Sequence, residues 1–539
     1  MIFKQLSLNY LSSQIGISNF NLFKNSYNKI VDDGHFDKSV NDKDLASLLF
    51  ENTIPDDFFS KKDNLKKFCY ALPLITQEII IQNLNLKDLE ELKWNEETAD
   101  FFLNEYNLNQ KFYPKDSKEK IIDSGYTIFN EPKIKFKKLK DYQSDVFFKT
   151  YSYLKVVPYA RCIIQMPTGS GKTRTAMEIV SETINNTKGD VLWLANTQEL
   201  CDQAYFSFLE VWEFLKQIKA QAVNHLRYNP KMDSIDKEIP CFHVMTLQSL
   251  NAKDRENKLK KMGLDIESIE LVIVDEAHIS IAPTYKKAIE YLLKDGSKLL
   301  GLTATPGRSL NQVDKSQNQE LSDFYFNELF ELNTGNDLPI EFLRKKGILC
   351  NAIFHSIEGS QIEHILTPSQ LKKCIDNREV PSNIEEILTN DVHRNTIIFD
   401  QLITLLAEGK KIIFFGTSIN HSKLMTSLIK LKGYKAEHID GNSGKFRSSI
   451  IEDFRNGEIQ ILCNYGVLST GFDDPKIDVV FMARPTNSIV LYSQIIGRGL
   501  RGPVIGGTDS CEIFTVFDNI SDLPNNNQIY SYFDEYFIN

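Results

Sequence analysis

No stretch of this 539-residue chain approaches the roughly 20 consecutive apolar residues that cross a bilayer. The opening residues 1–16 lack the charged start and apolar middle of a secretory signal. A cytoplasmic protein with no membrane partner is therefore expected. No two of the eight cysteines have CxxC spacing. That removes the usual zinc and iron–sulfur patterns and leaves reduced, mostly buried thiols as the expectation. Positive charge is scarce: 62 Lys and Arg face 72 Asp and Glu, for a net charge of −10. This excludes a surface coated in positive charge that grips nucleic acid passively, although it permits a local basic track. Internal repeats and long low-complexity tracts are also absent. What is present, 42% hydrophobic and 25% charged residues, is an ordinary globular composition with length enough for three domains.

Arginine is missing altogether from residues 1–130, where fifteen lysines face twenty acids. The stretch Leu65 to Leu103 reads as helical, with Asn83, Asn85 and Trp94-Asn95 marking helix ends. This acidic N-terminal region could bind DNA, restrain the rest of the chain or bind a partner protein, and its charge favours the protein partner. A basic run follows, Lys133-Ile134-Lys135-Phe136-Lys137-Lys138-Leu139-Lys140, read as a solvated link with nucleic-acid contact as the alternative. Asp123 with Glu131-Pro132-Lys133 loosely resembles a nuclease D…ExK set. Nothing places those carboxylates on adjacent strand ends, so a nuclease partner is expected, if at all, on another chain.

From about residue 140 short apolar runs alternate with helical stretches. Candidate buried strands are 162–164, 191–194, 271–274, 299–302, 412–415, 461–463 and 479–481. Strands separated by helices imply βαβ units, and there are enough for two parallel sheets with a break between about 310 and 400. The expected fold is α/β: two tandem parallel-sheet domains (131–335 and 336–525), a mainly helical accessory domain (1–130) and a tail (526–539).

The first strand runs into Met166-Pro167-Thr168-Gly169-Ser170-Gly171-Lys172-Thr173 and then a helical pattern with Ala176, Met177, Ile179 and Val180 on one face. Strand, glycine-rich loop, GK[ST] and helix form the P-loop context. Glycines let backbone N–H groups turn in around phosphate oxygens, and the helix N-terminus adds its positive dipole end. Lys172 is expected at the β- and γ-phosphates of ATP, and Thr173 at Mg²⁺. Met166 stands where the strict motif has glycine. A later strand ends in Val274-Asp275-Glu276-Ala277-His278. A carboxylate at such a strand end lies beside the P-loop. Asp275 is expected to hold Mg²⁺ through water, and Glu276 to orient and deprotonate the attacking water.

Asp275-Glu276-Ala277-His278 resembles the DEAH box of superfamily 2 helicases, and further motifs follow in family order. Leu139-Lys140-Asp141-Tyr142-Gln143 resembles the Q motif, which implies that Gln143 reads adenine. Residues 194–203 (LANTQELCDQ) and 244–249 (VMTLQS) resemble backbone-contacting elements. Thr303-Ala304-Thr305 resembles motif III, which couples the two domains in the family. Residues 412–418 (IIFFGTS), 462–475 (LCNYGVLSTGFDDP) and 494–501 (QIIGRGLR) resemble motifs IV, V and VI. The likeness runs from about 139 to 520 and implies that the two parallel-sheet domains are RecA-like. It implies a catalytic set of Lys172, Asp275, Glu276, Gln494, Arg498 and Arg501. It also implies a nucleotide set of Gln143, Thr168, Gly169, Ser170, Gly171, Lys172, Thr173, His278, Gly471 and Asp473. Thr246, Thr417 and Thr470 become candidate nucleic-acid contacts. Two arginines three apart on a helix face the same way, so Arg498 and Arg501 could neutralise a transferring phosphoryl group from across a cleft. The details of motifs III, V and VI resemble the DNA-translocase branch, which includes restriction-enzyme motors and branch-migration helicases. DNA is thus expected over RNA as the track, in repair, recombination or antiviral defence. An RNA helicase and a nucleotide-gated binding module are the alternatives.

Overall fold

The computed structural model describes the chain except residues 1, 37–39, 55–57, 109–111, 113–125, 130–137, 216–218, 227–234, 252–254, 294–295, 305–311, 364–365, 368–369, 371–379, 442, 444–445, 469–471, 473, 487–488 and 521–539. Fourteen strands among the described residues form two sheets. They are β1 (Tyr126–Phe129), β2 (Arg161–Gln165), β3 (Asp190–Ala195), β4 (Ala220–Asn224), β5 (Cys241–Thr246), β6 (Ile269–Asp275), β7 (Lys298–Thr303), β8 (Leu329–Glu331), β9 (Asn351–Ile362), β10 (Ile412–Phe415), β11 (Ala436–Ile439), β12 (Ile461–Asn464), β13 (Val479–Met482) and β14 (Ser510–Ile520). The first sheet has the order β1-β4-β5-β3-β6-β7-β2-β8, and the second β11-β12-β10-β13-β14-β9. Every pairing is parallel except β1 with β4. All seven strands expected from apolar runs are present. They are central and buried on both faces, which is why they read as continuous apolar runs.

The boundary expected at residue 130 needs correction. Strand β1 lies on its N-terminal side yet hydrogen-bonds to β4 at the edge of the first sheet. Four residues on an edge carry too short a pattern to be seen in sequence.

The N-terminal region is helical as expected, with helices Leu8–Ile15, Ile17–Asp32, Asp42–Thr53, Lys62–Tyr70, Leu74–Asn83 and Glu96–Tyr106. Their ends are set by local chemistry. Ser7, Asn41 and Asn95 each accept a hydrogen bond from a backbone N–H three residues on, the usual N-cap arrangement. Asn85 and Asn107 take left-handed backbone just past helix ends, which asparagine tolerates better than most residues. Inside, Phe3, Phe59, Phe68 and Phe112 pack edge to face with centroids 4.9–6.1 Å apart.

Among the described residues, the bundle's buried core belongs with the second sheet and not with the sheet that follows it in sequence. The bundle's core is continuous with that of the second sheet, through Phe399 and Leu402 on helix Val392–Ala407 and Leu424 and Leu428 on helix Ile419–Leu431. Each such side chain removed from water contributes about 1.5–3 kcal/mol, so the bundle and the second domain form one packed body.

The seven cysteines among the described residues are buried thiols outside any disulfide. Among the described residues no helix is long and apolar enough to cross a membrane.

Candidate nucleotide site in the interdomain cleft

The first wall of the cleft is built at the C-terminal ends of β2, β7 and β6, the usual ligand end of a parallel sheet. Met166 N–H donates to Thr303 O (3.0 Å), so motif III begins against the base of the P-loop. Gly169 and Gly171 have φ of +86° and +88°, backbone that favours glycine. A side chain at Gly169 would collide with the Arg501 guanidinium, and one at Gly171 with the Gln143 amide. Helix Lys172–Thr187 starts directly after Gly171 and buries Ala176, Met177, Ile179 and Val180, the expected face.

Gln143 braces the loop. Its Oε1 accepts Lys140 N–H (2.9 Å) and its Nε2 donates to Ser170 O (3.0 Å), where Tyr142 Oη also donates (2.9 Å). One Nε2 hydrogen remains for a ligand.

Asp275 ends β6 with a 4% exposed side chain, its Oδ1 accepting Glu276 N–H at 3.0 Å. Glu276 itself has φ of +57°, a costly conformation outside glycine that is most often kept at functional sites. Its Oε1 lies 3.8 Å from Lys172 Nζ. Its Oε2 is buried 3.5 Å from His278 Nδ1 and makes no hydrogen bond. Burial pushes the Asp275 carboxyl up to about 6 against the pull of Lys172. Burial acts the same way on Glu276, but Lys172, His278, Gln494 and Arg498 together outweigh it and hold Glu276 below the usual carboxylate value.

The second wall comes from helix Ile489–Ile496 and the turn after it. Gln494 Nε2 donates across the cleft to Glu276 Oε1 at 3.0 Å. Arg498 donates to Phe472 O, and Arg501 to Gly497 O (3.0 Å); each arginine is 8% exposed. Gly497 lets Thr168 approach where any side chain would meet its methyl. The segment joining the domains closes the corner: Gly502 N–H donates to Ile348 O (2.9 Å) and Val504 N–H to Gly347 O (3.1 Å).

The cleft between the walls has a volume of about 410 Å³, and Lys172, Asp275, Glu276, Gln494, Arg498 and Arg501 all line it, as does the P-loop through Thr173. Lys138 and Lys140 line it too, so the described end of the basic run faces the cleft instead of serving only as a solvated link. Its earlier residues, and the Asp123 and Glu131–Lys133 fragment, lie outside the described residues. Gly471 and Asp473, assigned to the nucleotide by resemblance, and Thr305 of motif III also lie outside them.

Donors and charges fit a triphosphate: glycine backbone, a helix N-terminus, Lys172 and two arginines. They also fit a magnesium ion. No cluster of three or more His, Cys, Asp or Glu that could hold a metal occurs among the described residues. Mg²⁺ is commonly bound through one or two protein oxygens plus substrate phosphates, and Thr173 and Asp275 supply such oxygens.

The expected nucleic-acid contacts divide. Thr246 ends β5 half-exposed and shares a hydrogen bond with Ser249 Oγ (2.9 Å). Gln248 beside it donates to Asn196 O (3.2 Å). Thr417 needs correction: it is fully buried, donates to Ala483 O (3.0 Å) and accepts from Arg394 (3.0 Å), so its hydroxyl is part of the domain's interior. Thr470 lies outside the described residues.

Sequence reasoning missed Arg394, 1% exposed and paired with Asp518 on both carboxylate oxygens (2.7 and 2.8 Å). It also missed Arg484, whose guanidinium lies 4.0 Å from the Tyr465 ring centroid, with Tyr465 Oη donating to Glu385 (2.6 Å). Arg484 had one signal, a charge directly after a buried strand. Arg394 had none.

Two RecA-like sheets facing each other across a P-loop, a strand-end carboxylate pair and a pair of arginines have the arrangement of a two-domain helicase core. Family comparison agrees and narrows it. A model for the type III restriction enzyme res subunit matches residues 136–308, and one for the helicase conserved C-terminal domain matches residues 396–502. The two matched segments carry, in order, the two domains of a superfamily 2 helicase. A 51.5 kDa protein of a Lactococcus phage (isolate 7-9) is 28% identical over 341 residues, 63% of this chain and 62% of that protein. The ATP-dependent rRNA helicase RRP3 of Candida albicans is 24% identical over 232 residues, 40% of this chain and 42% of that one. The chain thus spans between 42% and 62% of the length of these two relatives. Among solved structures, the ATP-dependent type ISP restriction-modification enzyme LlaBIII bound to DNA aligns over 74% of this chain and 29% of its own, with a TM-score of 0.51 and 18% identity, a likeness of fold.

Proposed function

We propose that the chain is a DNA-stimulated ATPase that moves along DNA by opening and closing its cleft. The observation that carries this reading is the bond from Gln494 to Glu276 (3.0 Å) beside Arg498 and Arg501. The groups that would stabilise a leaving phosphate come from one domain, and those that bind it come from the other, so chemistry depends on closure.

In this reading the P-loop backbone and Lys172 hold the β- and γ-phosphates of ATP. Glu276, whose buried Oε2 makes no hydrogen bond, orients a water and takes its proton as the water attacks the γ-phosphorus and the bond to the ADP oxygen breaks. Thr173 and Asp275 would hold Mg²⁺, which when bound would supply charge neutralisation at the phosphate oxygens. Arg498 and Arg501 offset the negative charge that develops. Loss of the γ-phosphate weakens closure, and the two domains shift against each other on the track.

DNA is favoured over RNA by the family matched over the first domain, the res subunit of type III restriction enzymes. A role in restriction-type defence against foreign DNA accords with that match. RNA is the second reading, because one relative is named an rRNA helicase.

The test is steady-state ATP hydrolysis with duplex DNA, single-stranded DNA, branched DNA or RNA added. A DNA should stimulate turnover, and Glu276→Gln should lower it by about 10²–10⁴-fold. Stimulation by RNA alone would reassign the track, and a fully active Glu276→Gln would overturn the catalytic assignment.

A further inference from the structure

Helix Ile419–Leu431 of the second domain carries several of its polar contacts with the N-terminal bundle, beside those that Asp400 and Lys432 make with His35. Asn52 Nδ2 donates to Ser427 Oγ (3.2 Å), Lys430 Nζ donates to Asn52 Oδ1 (3.1 Å), and Lys423 Nζ donates to Thr53 O (3.3 Å). Of these, Lys423 alone is bonded on its other side to the turn that follows β11. Its Nζ lies 3.4 Å from Asp440 Oδ2, with the side chains 19% and 6% exposed.

Asp440 organises that turn. Its N–H donates to Ser443 Oγ (2.8 Å), and Ser443 N–H donates back to Asp440 O (3.2 Å). His438 Nε2 lies 3.2 Å from Asp440 Oδ2, and its Nδ1 is 2.8 Å from Ser422 Oγ. On helix Phe446–Arg455, Arg447 donates to Val467 O (2.9 Å) in the motif V turn. Because β10, β11 and β12 are parallel, Asp440 and the motif V turn leave the sheet at the same end, where a parallel sheet meets its ligands. Contacts therefore run from the main chain of the bundle through Lys423 to Asp440, which follows β11 beside the end of β12 where the motif V turn begins.

We infer that Lys423 is a positioning residue: it transmits docking of the N-terminal bundle to the Asp440 turn and motif V, and so sets how strongly nucleic acid engages the second domain. A lysine suits this role. Its one charge joins a main-chain carbonyl on the bundle to a buried carboxylate in the turn. The inference rests on the nucleic-acid-stimulated reading above.

The experiment uses the full chain with Lys423→Ala, Lys423→Arg and Lys430→Ala. Lys430 lies on the same helix and meets the same bundle residue, Asn52, but pairs with Glu437 (2.7 Å) on the strand and not with Asp440. Thermal melts confirm that each variant folds. Lys423→Ala should raise the DNA concentration for half-maximal ATPase stimulation about fivefold or more, with the DNA-free rate unchanged. Lys423→Arg should restore most of the effect, and Lys430→Ala should have little. Independently of any nucleic acid, amide hydrogen exchange at Asp440, Ser443 and the turn Tyr465–Leu468 should accelerate in Lys423→Ala and not in Lys430→Ala. Equal effects from the two alanine variants, or none from Lys423→Ala, would overturn the inference. If no nucleic acid stimulates the wild type, the ATPase reading above fails, and the exchange measurement alone decides the role of Lys423.

Discussion

The two walls of the cleft are built on opposite principles. On the first, phosphate-binding groups are mostly backbone: Gly169 and Gly171 at positive φ, and the first turn of the Lys172–Thr187 helix. On the second they are side chains, Gln494, Arg498 and Arg501, which reach the first domain only across the gap. A backbone site is in place whenever its domain is folded. A side-chain wall acts only when the domains meet. In the proposed reading, nucleotide binding rests on the first wall, while turnover needs both, with Glu276 on the first and Arg498 and Arg501 on the second.

The largest expected effect tests that separation. Lys172→Ala should abolish measurable nucleotide binding. Arg498→Ala should leave binding nearly intact while lowering turnover by about 10³-fold or more. Equilibrium titration of a fluorescent nucleotide beside single-turnover hydrolysis reads both quantities. If Arg498→Ala lost binding and turnover together, the division between walls would be wrong.

A smaller effect sharpens the contrast from the stability side. The second domain carries a buried ion pair, Arg394 with Asp518, both almost fully enclosed. Arg394→Leu leaves Asp518 charged and unpaired in the interior and should destabilise the second domain by about 3–5 kcal/mol. Nucleotide binding to the first wall should persist at temperatures where the variant is folded. Denaturant unfolding of the single variant and of Arg394→Leu with Asp518→Leu checks this. The double variant should recover much of the loss.

The smallest effect is shared by both domains. His225 in the first and His421 in the second are buried and held neutral, well below the ordinary histidine value. Burial is the main cause for both, reinforced by His243 beside His225 and Arg394 beside His421. The unfolded chain takes up these protons below its pKa of about 6.5 and the folded chain does not. Stability is therefore present above about pH 6.5 and lost as pH falls below it, by up to about 1.4 kcal/mol per pH unit for each ring. Unfolding curves at pH 7.5, 6.5 and 5.5 would show it. A profile flat over that range would mean the rings are charged in the native state.

Much of the first wall was legible because its chemistry is local. A P-loop needs strand, glycines, lysine and helix in consecutive residues, and Asp275-Glu276 follows a buried strand directly. The second wall was legible only through motif order, since nothing near Arg498 or Arg501 says what they face. Gln143 shows a limit of that route: motif order marked it for the base, and the structure adds a bracing role on the P-loop. Thr417 shows another. It follows a strand as an exposed backbone contact would, but Arg394 and Ala483 enclose its hydroxyl.

By itself the sequence determined the two parallel sheets, the P-loop, the carboxylate pair and the helical character of the N-terminal region, because periodicity, turns and caps act over a few residues. Only the tertiary structure decided that β1 joins the first sheet while the bundle before it packs on the second domain. It also decided that Arg394 meets Asp518 and that Lys423 stands between the bundle and Asp440. Such choices depend on which distant apolar faces and charges exclude water together. That is set by the summed burial of the whole chain, and no local pattern encodes it.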